Sequence, residues 1–258
     1  SLSVSTDTRN LPAGCVFFAL HGERFDGNKF AKQALESGAS LAVIDNPAYA
    51  LPQGTLLVED TLLALQDLAR AWRRELGLPI IAITGTNGKT TTKELLATVL
   101  ATKYHLHYTQ GNLNNQIGVP LTLLQLTRIH EMAIVEMGAN HPGDIKELVE
   151  IAEPDYGLIT NVGLAHLQGF GSLEGVIRTK GELYDFLRSK ENAFAFLDKD
   201  NDVLCQTSAG LKTISYGMEG NADLYVSGKF RACAPFLAFE WKYEGMTCEV
   251  QTHLIGAY

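Results

Sequence analysis

The chain has 258 residues, 46% hydrophobic and 19% charged, an ordinary balance for a globular protein of one large or two modest domains. Its formal net charge of −8 argues against a nucleic-acid binder, which carries a basic face, while leaving room for an anionic substrate held by a local cluster of Lys, Arg and Mg2+. The four cysteines (Cys15, Cys205, Cys233, Cys248) have neither metal-ligand spacing nor a paired pattern, and read as free thiols in a reducing compartment. No apolar run reaches the roughly 18–20 residues of a membrane span, and no signal-peptide layout precedes Val16–Leu20, so the cytoplasm is the expected location. Ser1 opens the chain without a methionine and Tyr258 closes it inside what reads as a continuing segment, so both ends are expected to be cut from a longer protein.

In chain order, Val16–Leu20 and Leu41–Asp45 are strand-like apolar runs. Between them, residues 28–38 put Phe30, Ala34 and Leu35 on one helical face. Thr55–Glu59 is a further strand. Asp60 then caps a helix in which Leu62, Leu65, Ala69, Trp72 and Leu76 recur at spacings of 3 and 4. Leu76-Gly77-Leu78-Pro79 ends it as an interdomain linker, giving domains 1–77 and 78–258. The second part alternates strands (80–84, 133–137, 156–160, 193–197) with helices (91–103, 143–152, 172–189), which predicts an α/β domain with a mostly parallel sheet. From about Lys212 the character changes. Leu237, Phe239, Trp241 and Tyr243 alternate with polar residues up to a Glu244-Gly245 turn, predicting an added antiparallel hairpin.

The chemistry is concentrated at residues 80–92. A buried strand ending in Thr84 leads to Gly85-Thr86-Asn87-Gly88 and then to Lys89-Thr90-Thr91, which open a helix. Such a turn lets backbone N–H groups surround phosphate oxygens, Lys89 offsets β/γ-phosphate charge, and the Thr90 hydroxyl can ligate Mg2+. The first glycine of the general P-loop pattern is replaced by Ile83. By the rule that ligands gather beyond strand carboxyl ends, Glu136–Asn140 and Thr160–His166 share this rim. Glu136 reads either as a Mg2+ contact or as a solvated strand-end acid. His166 reads as a metal ligand, a phosphate donor or a satisfied loop histidine. Lys180 follows the pattern of an exposed helical lysine, beside an unusual mid-helix Gly181 that suggests close packing. The run Gly111–Pro120 holds four carboxamides, which bind phosphates, sugars or peptides without adding charge, or simply form a polar turn.

These segments together resemble the Mur ligases, ATP-dependent amide-forming enzymes of cell-wall precursor synthesis, and within them the member that adds D-alanyl-D-alanine. The resemblance rests on Gly85–Leu95, Gly111–Leu124, Val135–Gly143 and Thr160–Gly175, on Lys180-Gly181-Glu182-Leu183, and on Ser5–Arg9 with the Gly22–Gly27 loop. It covers nearly the whole chain. It implies ATP on Gly85, Thr86, Asn87, Gly88, Lys89, Thr90 and Thr91, and Mg2+ on Thr90, Glu136, His166 and Lys180, the last at the family's carbamylated position. Lys89, Lys180 and His166 become the catalytic set. It further implies UDP-N-acetylmuramoyl tripeptide on Asp7, Thr8, Arg9, Asn112 and Asn114, with an acyl phosphate formed from the tripeptide carboxylate and attacked by D-alanyl-D-alanine. Thr8 and Asn28 depart from the family pattern in the N-terminal part. The family's third domain is absent from the chain, which implies nucleotide binding with poor turnover, and the protein is expected to be a monomer. The rival readings are a tripeptide-forming relative, an ATPase without ligase activity, and a UDP-sugar-binding remnant.

Overall fold

The structure is a computed structural model that describes residues 3–23, 25–163, 170–218, 220, 224–232 and 235–254. The elements begin with β1 (Val4–Ser5), β2 (Val16–Phe18), β3 (His21–Gly22), β4 (Phe25–Asp26), α1 (Ala31–Glu36), β5 (Leu41–Ile44), β6 (Thr55–Leu57) and α2 (Thr61–Leu76). Next come β7 (Ile80–Thr84), α3 (Lys89–Leu100), β8 (Leu106–Tyr108), α4 (Gly118–Leu124), β9 (Met132–Glu136) and α5 (Asp144–Ala152). The remainder are β10 (Tyr156–Ile159), α6 (Leu173–Ser189), β11 (Phe194–Asp198), α7 (Asp202–Thr207), β12 (Thr213–Met218), β13 (Val226–Ala232), β14 (Ala238–Tyr243) and β15 (Met246–Gln251). Two compact units form. The first comprises Ser1–Ile80, Lys93–Gly138 and Glu147–Glu153; the second comprises Ile81–Thr92, Ala139–Lys146 and Pro154–Tyr258.

In the first unit, four parallel strands run in the order β1-β2-β5-β6. Phe17, Ala42 and Ile44 bury their side chains against Ala31 and Ala34 of α1, with Leu11 and Leu35 at the margin. The helix expected over 28–38 divides into a 3-10 turn at Gly27–Phe30, capped by the Asp26 side chain, and α1. Asp60 caps α2 by accepting from the Leu63 N–H at 2.8 Å, and Gly77 ends the helix in the left-handed conformation. The buried face of α2 includes Gln66 and Arg73 beside Leu65 and Ala69. Arg73 donates to the carbonyls of Ala152 and Glu153 at 2.8 and 2.7 Å, a cation at the C-terminus of α5, where unsatisfied carbonyls favour positive charge. β8 and β9 pair in parallel.

In the second unit, β7, β10, β11, β12 and β13 are parallel, and β14 and β15 add an antiparallel edge. Tyr243 pairs with Met246 across Glu244 and Gly245, whose φ angles of 46° and 78° make the tight turn that matches strand twist. The parallel part outlasts the change of character at Lys212. β12 and β13 both continue it, although β13 is half exposed and carries Gly228, Lys229 and Arg231, so it lacks a strand-like apolar pattern. Gly181 in α6 has its reason: a Cβ there would stand 3.0 Å from Thr207 Cγ2 of α7. Among the described residues no helix is long and apolar enough to cross a membrane.

Candidate active site

Strand β7 is buried along its whole length and delivers the chain to the turn at Gly85–Gly88. Gly85 has φ 146°, and a Cβ on it would lie 2.0 Å from Thr160 Oγ1, so only glycine fits against the loop that follows β10. That loop braces the turn. The Asn161 carbonyl accepts from the Thr86 N–H at 3.1 Å, and the Asn161 side-chain oxygen accepts from the Asn87 N–H at 3.0 Å. Thr160 Oγ1 donates to the Asn87 carbonyl at 2.6 Å, and Thr86 Oγ1 accepts from the Gly163 N–H at 3.0 Å. Lys89 Nζ donates back to the carbonyls of Gly85 at 2.9 Å and Thr86 at 3.3 Å.

Two loop N–H groups, those of Thr86 and Asn87, are therefore engaged by Asn161. This shifts the expected phosphate donors toward Gly88 and the first turn of α3, where helix geometry supplies no internal acceptors. Replacing Asn161 with Ala removes one of these bonds, with an expected loss of roughly 1 kcal/mol, or about fivefold in nucleotide affinity. A fluorescent-ADP titration measures this, and an unchanged affinity would rule out the brace.

Lys180 departs from the exposed-lysine pattern, because α6 buries it to 3% exposure. Its Nζ lies 5.7 Å from the centre of the Phe170 ring. Burial lowers its pKa from 10.5 to about 8; the nearby Lys89 charge adds to the shift, and Asp144 and Glu182 oppose it. Both carboxylates have other work. Glu182 accepts from the N–H groups of Gly143 and Lys146 at 2.9 and 2.8 Å, while Asp144 accepts from those of Asn140 and His141. Lys89 and Lys180 are thus brought into one charged neighbourhood. His166 lies outside the described residues.

In the first unit, Glu136 ends β9 at 2% exposure, so the solvated alternative does not hold. Asn114 Nδ2 donates to its Oε1 at 2.9 Å, and Lys93 Nζ stands 3.7 Å from its Oε2. Gly138 leaves the space that the Asn114 side chain fills, since a Cβ there would come within 3.1 Å of the carboxamide. Asn115 accepts from the N–H groups of Ile117 and Gly118 and so starts α4. Among the described residues no three His, Cys, Asp or Glu side chains cluster as a metal cage. A lone buried carboxylate still fits Mg2+, which keeps several waters and takes its other ligands from substrate phosphates.

Asp7, Thr8 and Arg9 line a cavity of about 510 Å³ with Thr6, Phe17, Phe25 and Phe30. A second cavity, of about 420 Å³, runs from Ser3–Asp7 to Leu113, between the candidate residues Asn112 and Asn114. Asp7 borders both. Arg9 is exposed and chelates Asp7, holding its carboxyl at about 2. Asn28 is an internal tie: its amide donates to Asp26 and Asp45 and its oxygen accepts from the Asp45 N–H. Burial alone would raise the Asp45 pKa, but the bonds from Asn28 and Thr61, with His21 alongside, hold it below its ordinary value.

Both parts of the chain match known families. Residues 83–258 match the Mur ligase middle domain, and residues 3–73 match the catalytic domain of the Mur ligase family. The chain belongs to the Mur ligase family. A UDP-N-acetylmuramoyl-tripeptide–D-alanyl-D-alanine ligase from Synechocystis is 46% identical over 84% of this chain and 49% of its own length. The Escherichia coli enzyme of the same name is also 46% identical, over 78% of this chain and 44% of its own length. MurF from Thermotoga maritima, solved with ADP, superposes with a TM-score of 0.85 at 32% identity, covering 99% of this chain and 58% of that one. The chain spans about half the length of the curated relatives it matches.

Proposed function

We propose that the chain carries the UDP-substrate and ATP sites of an ADP-forming ligase that joins D-alanyl-D-alanine to UDP-N-acetylmuramoyl tripeptide. The observation that carries this reading is the braced turn ahead of Lys89, together with a buried Lys180 whose pKa the Lys89 charge helps to lower, in a chain 46% identical to ligases of that name. Residues 1–77 serve the UDP-peptide through Asp7, Thr8 and Arg9, with Asn112 and Asn114 further along the substrate. Residues 78–258 serve ATP through Gly85, Thr86, Asn87, Gly88, Lys89, Thr90 and Thr91. Thr90, Glu136, His166 and carbamylated Lys180 are the residues that would hold magnesium, which when bound draws charge from phosphate oxygens.

Chemically, a carboxylate is a poor electrophile at neutral pH. Transfer of the γ-phosphoryl group to the terminal carboxylate of the tripeptide gives an acyl phosphate, with Lys89 offsetting the charge that develops. The amine of D-alanyl-D-alanine attacks the acyl carbon, the C–O bond to phosphate breaks, and the amine proton is released to solvent. The free thiols of Cys15, Cys205 and Cys248 agree with a cytoplasmic, reducing setting, and we take the working form to be a monomer.

The test, on the full-length protein that contains this chain, is phosphate release that requires both UDP-N-acetylmuramoyl tripeptide and D-alanyl-D-alanine. Release with UDP-N-acetylmuramoyl dipeptide and a single amino acid would favour a tripeptide-forming ligase, and release indifferent to both would favour a plain ATPase. Arg9→Ala is expected to raise KM for the UDP-peptide roughly tenfold, the scale of a lost charged hydrogen bond, with KM for ATP nearly unchanged. Equal changes in both constants would give Arg9 a structural role instead.

A further inference from the structure

Lys93 follows Lys89 by four residues on α3 and has no solvent exposure at all. Among the described residues its Nζ meets no acceptor in hydrogen-bonding geometry. The charges around it are Glu136 Oε2 at 3.7 Å and Glu94 Oε1 at 3.2 Å, with the Tyr108 ring centre at 5.9 Å. Glu94 is half exposed and screened by water, so the buried Glu136 is the stronger partner. An ammonium without an acceptor in a dry site is costly, and an ion pair there is weak evidence for stability. The arrangement calls for another use.

The two oxygens of Glu136 are divided. Oε1 takes the Asn114 amide and Oε2 faces Lys93, so the carboxylate is oriented and its charge offset before any ligand arrives. A bare divalent cation approaching Glu136 meets the Lys93 charge in a low-dielectric site. A nucleotide brings negative phosphates that outweigh that repulsion. We propose that Lys93 is a positioning residue for Glu136 that keeps free divalent metal off the carboxylate, so that metal enters only with nucleotide. This rests on the reading of Glu136 as a metal ligand.

The experiment uses Mn2+ as the probe on the 258-residue chain, with free Mn2+ followed by electron paramagnetic resonance, with and without ADP. Wild type is expected to bind Mn2+ at least tenfold more tightly with ADP present. Lys93→Met, which keeps the length of the side chain and drops its charge, is expected to tighten Mn2+ binding without nucleotide at least tenfold. A merely structural lysine would not produce a gain in affinity. Unchanged nucleotide-free affinity in Lys93→Met overturns the inference while leaving the metal reading intact. Failure of wild type to bind Mn2+ even with ADP, or equal Mn2+·ADP binding by Glu136→Gln, overturns the metal reading and the inference with it. If Lys93→Met is too unstable to titrate, the double variant Lys93→Met/Glu136→Gln decides: melting above both single variants supports the coupled pair, and additive losses overturn it.

Discussion

In a full-length ligase containing this chain, as proposed above, Lys89→Ala is expected to lower turnover by roughly 10²-fold or more, the scale for removing a preorganised charge from a transition state that gathers negative charge. The side chain rests on the carbonyls of Gly85 and Thr86 at 2.9 and 3.3 Å, so it is aimed along the turn and does not fill a core. The melting temperature should therefore move little. ADP affinity of the 258-residue chain should fall in parallel with turnover. Near-normal turnover in the alanine variant would remove the phosphate-binding assignment of the whole Gly85–Thr91 segment.

Lys180→Ala is expected to abolish most activity, and a small carboxylate such as acetate should restore part of it. The reaction on the lysine is addition of its neutral amine to CO2, which forms a C–N bond and releases a proton to solvent. With the pKa at about 8, roughly a quarter of the side chains are neutral at about pH 7.5, against about one in a thousand for an ordinary lysine. Carbamate should therefore build up as pH rises toward about 8.5 at fixed dissolved CO2. Carbon-13 NMR with labelled bicarbonate is the direct check, and a bare amine in active, magnesium-loaded enzyme would refute the modification. The sign of the stability effect is also fixed. Between pH 8 and 10.5 the unfolded chain binds a proton on this residue that the folded, unmodified protein lacks, so stability rises with pH across that window. Near pH 7 the buried charge costs the fold about 3 kcal/mol, the energy equivalent of the shift.

Much of this was legible in the residues themselves, for physical reasons that also explain the gaps. β7 and β10 read as near-continuous apolar runs because successive residues on both faces are buried, whereas β11 alternates buried and half-buried positions and is read from its Phe, Ala and Leu content. The caps of α2 announced themselves through Asp60 and Gly77. α4 did not, since it begins inside a polar run and carries Pro120, whose position in the first turn makes its missing N–H harmless. The turn at Gly85–Gly88 was legible as a local motif. Its brace was not, because Asn161 reaches Asn87 across 74 residues. Lysine burial was also nearly invisible. A lysine on a helix is almost always solvated; nothing in the neighbours of Lys93 along the chain signals its burial, and beside Lys180 only Gly181 hinted that packing closes over the helix there.

The bonds from Thr160, Asn161 and Gly163 have a thermodynamic consequence for ligand capture. A glycine-containing turn left to itself samples many backbone states, and fixing each residue at the moment of binding costs about 1–2 kcal/mol. Here Thr86 and Asn87 are already held at both N–H groups, and Asn87 at its carbonyl as well. The ordering cost falls on folding, not on the encounter with nucleotide. Calorimetry of ADP binding should accordingly show a smaller entropic penalty in the wild-type chain than in Asn161→Ala, and hydrogen exchange at Asn87 should be slow before any nucleotide is added.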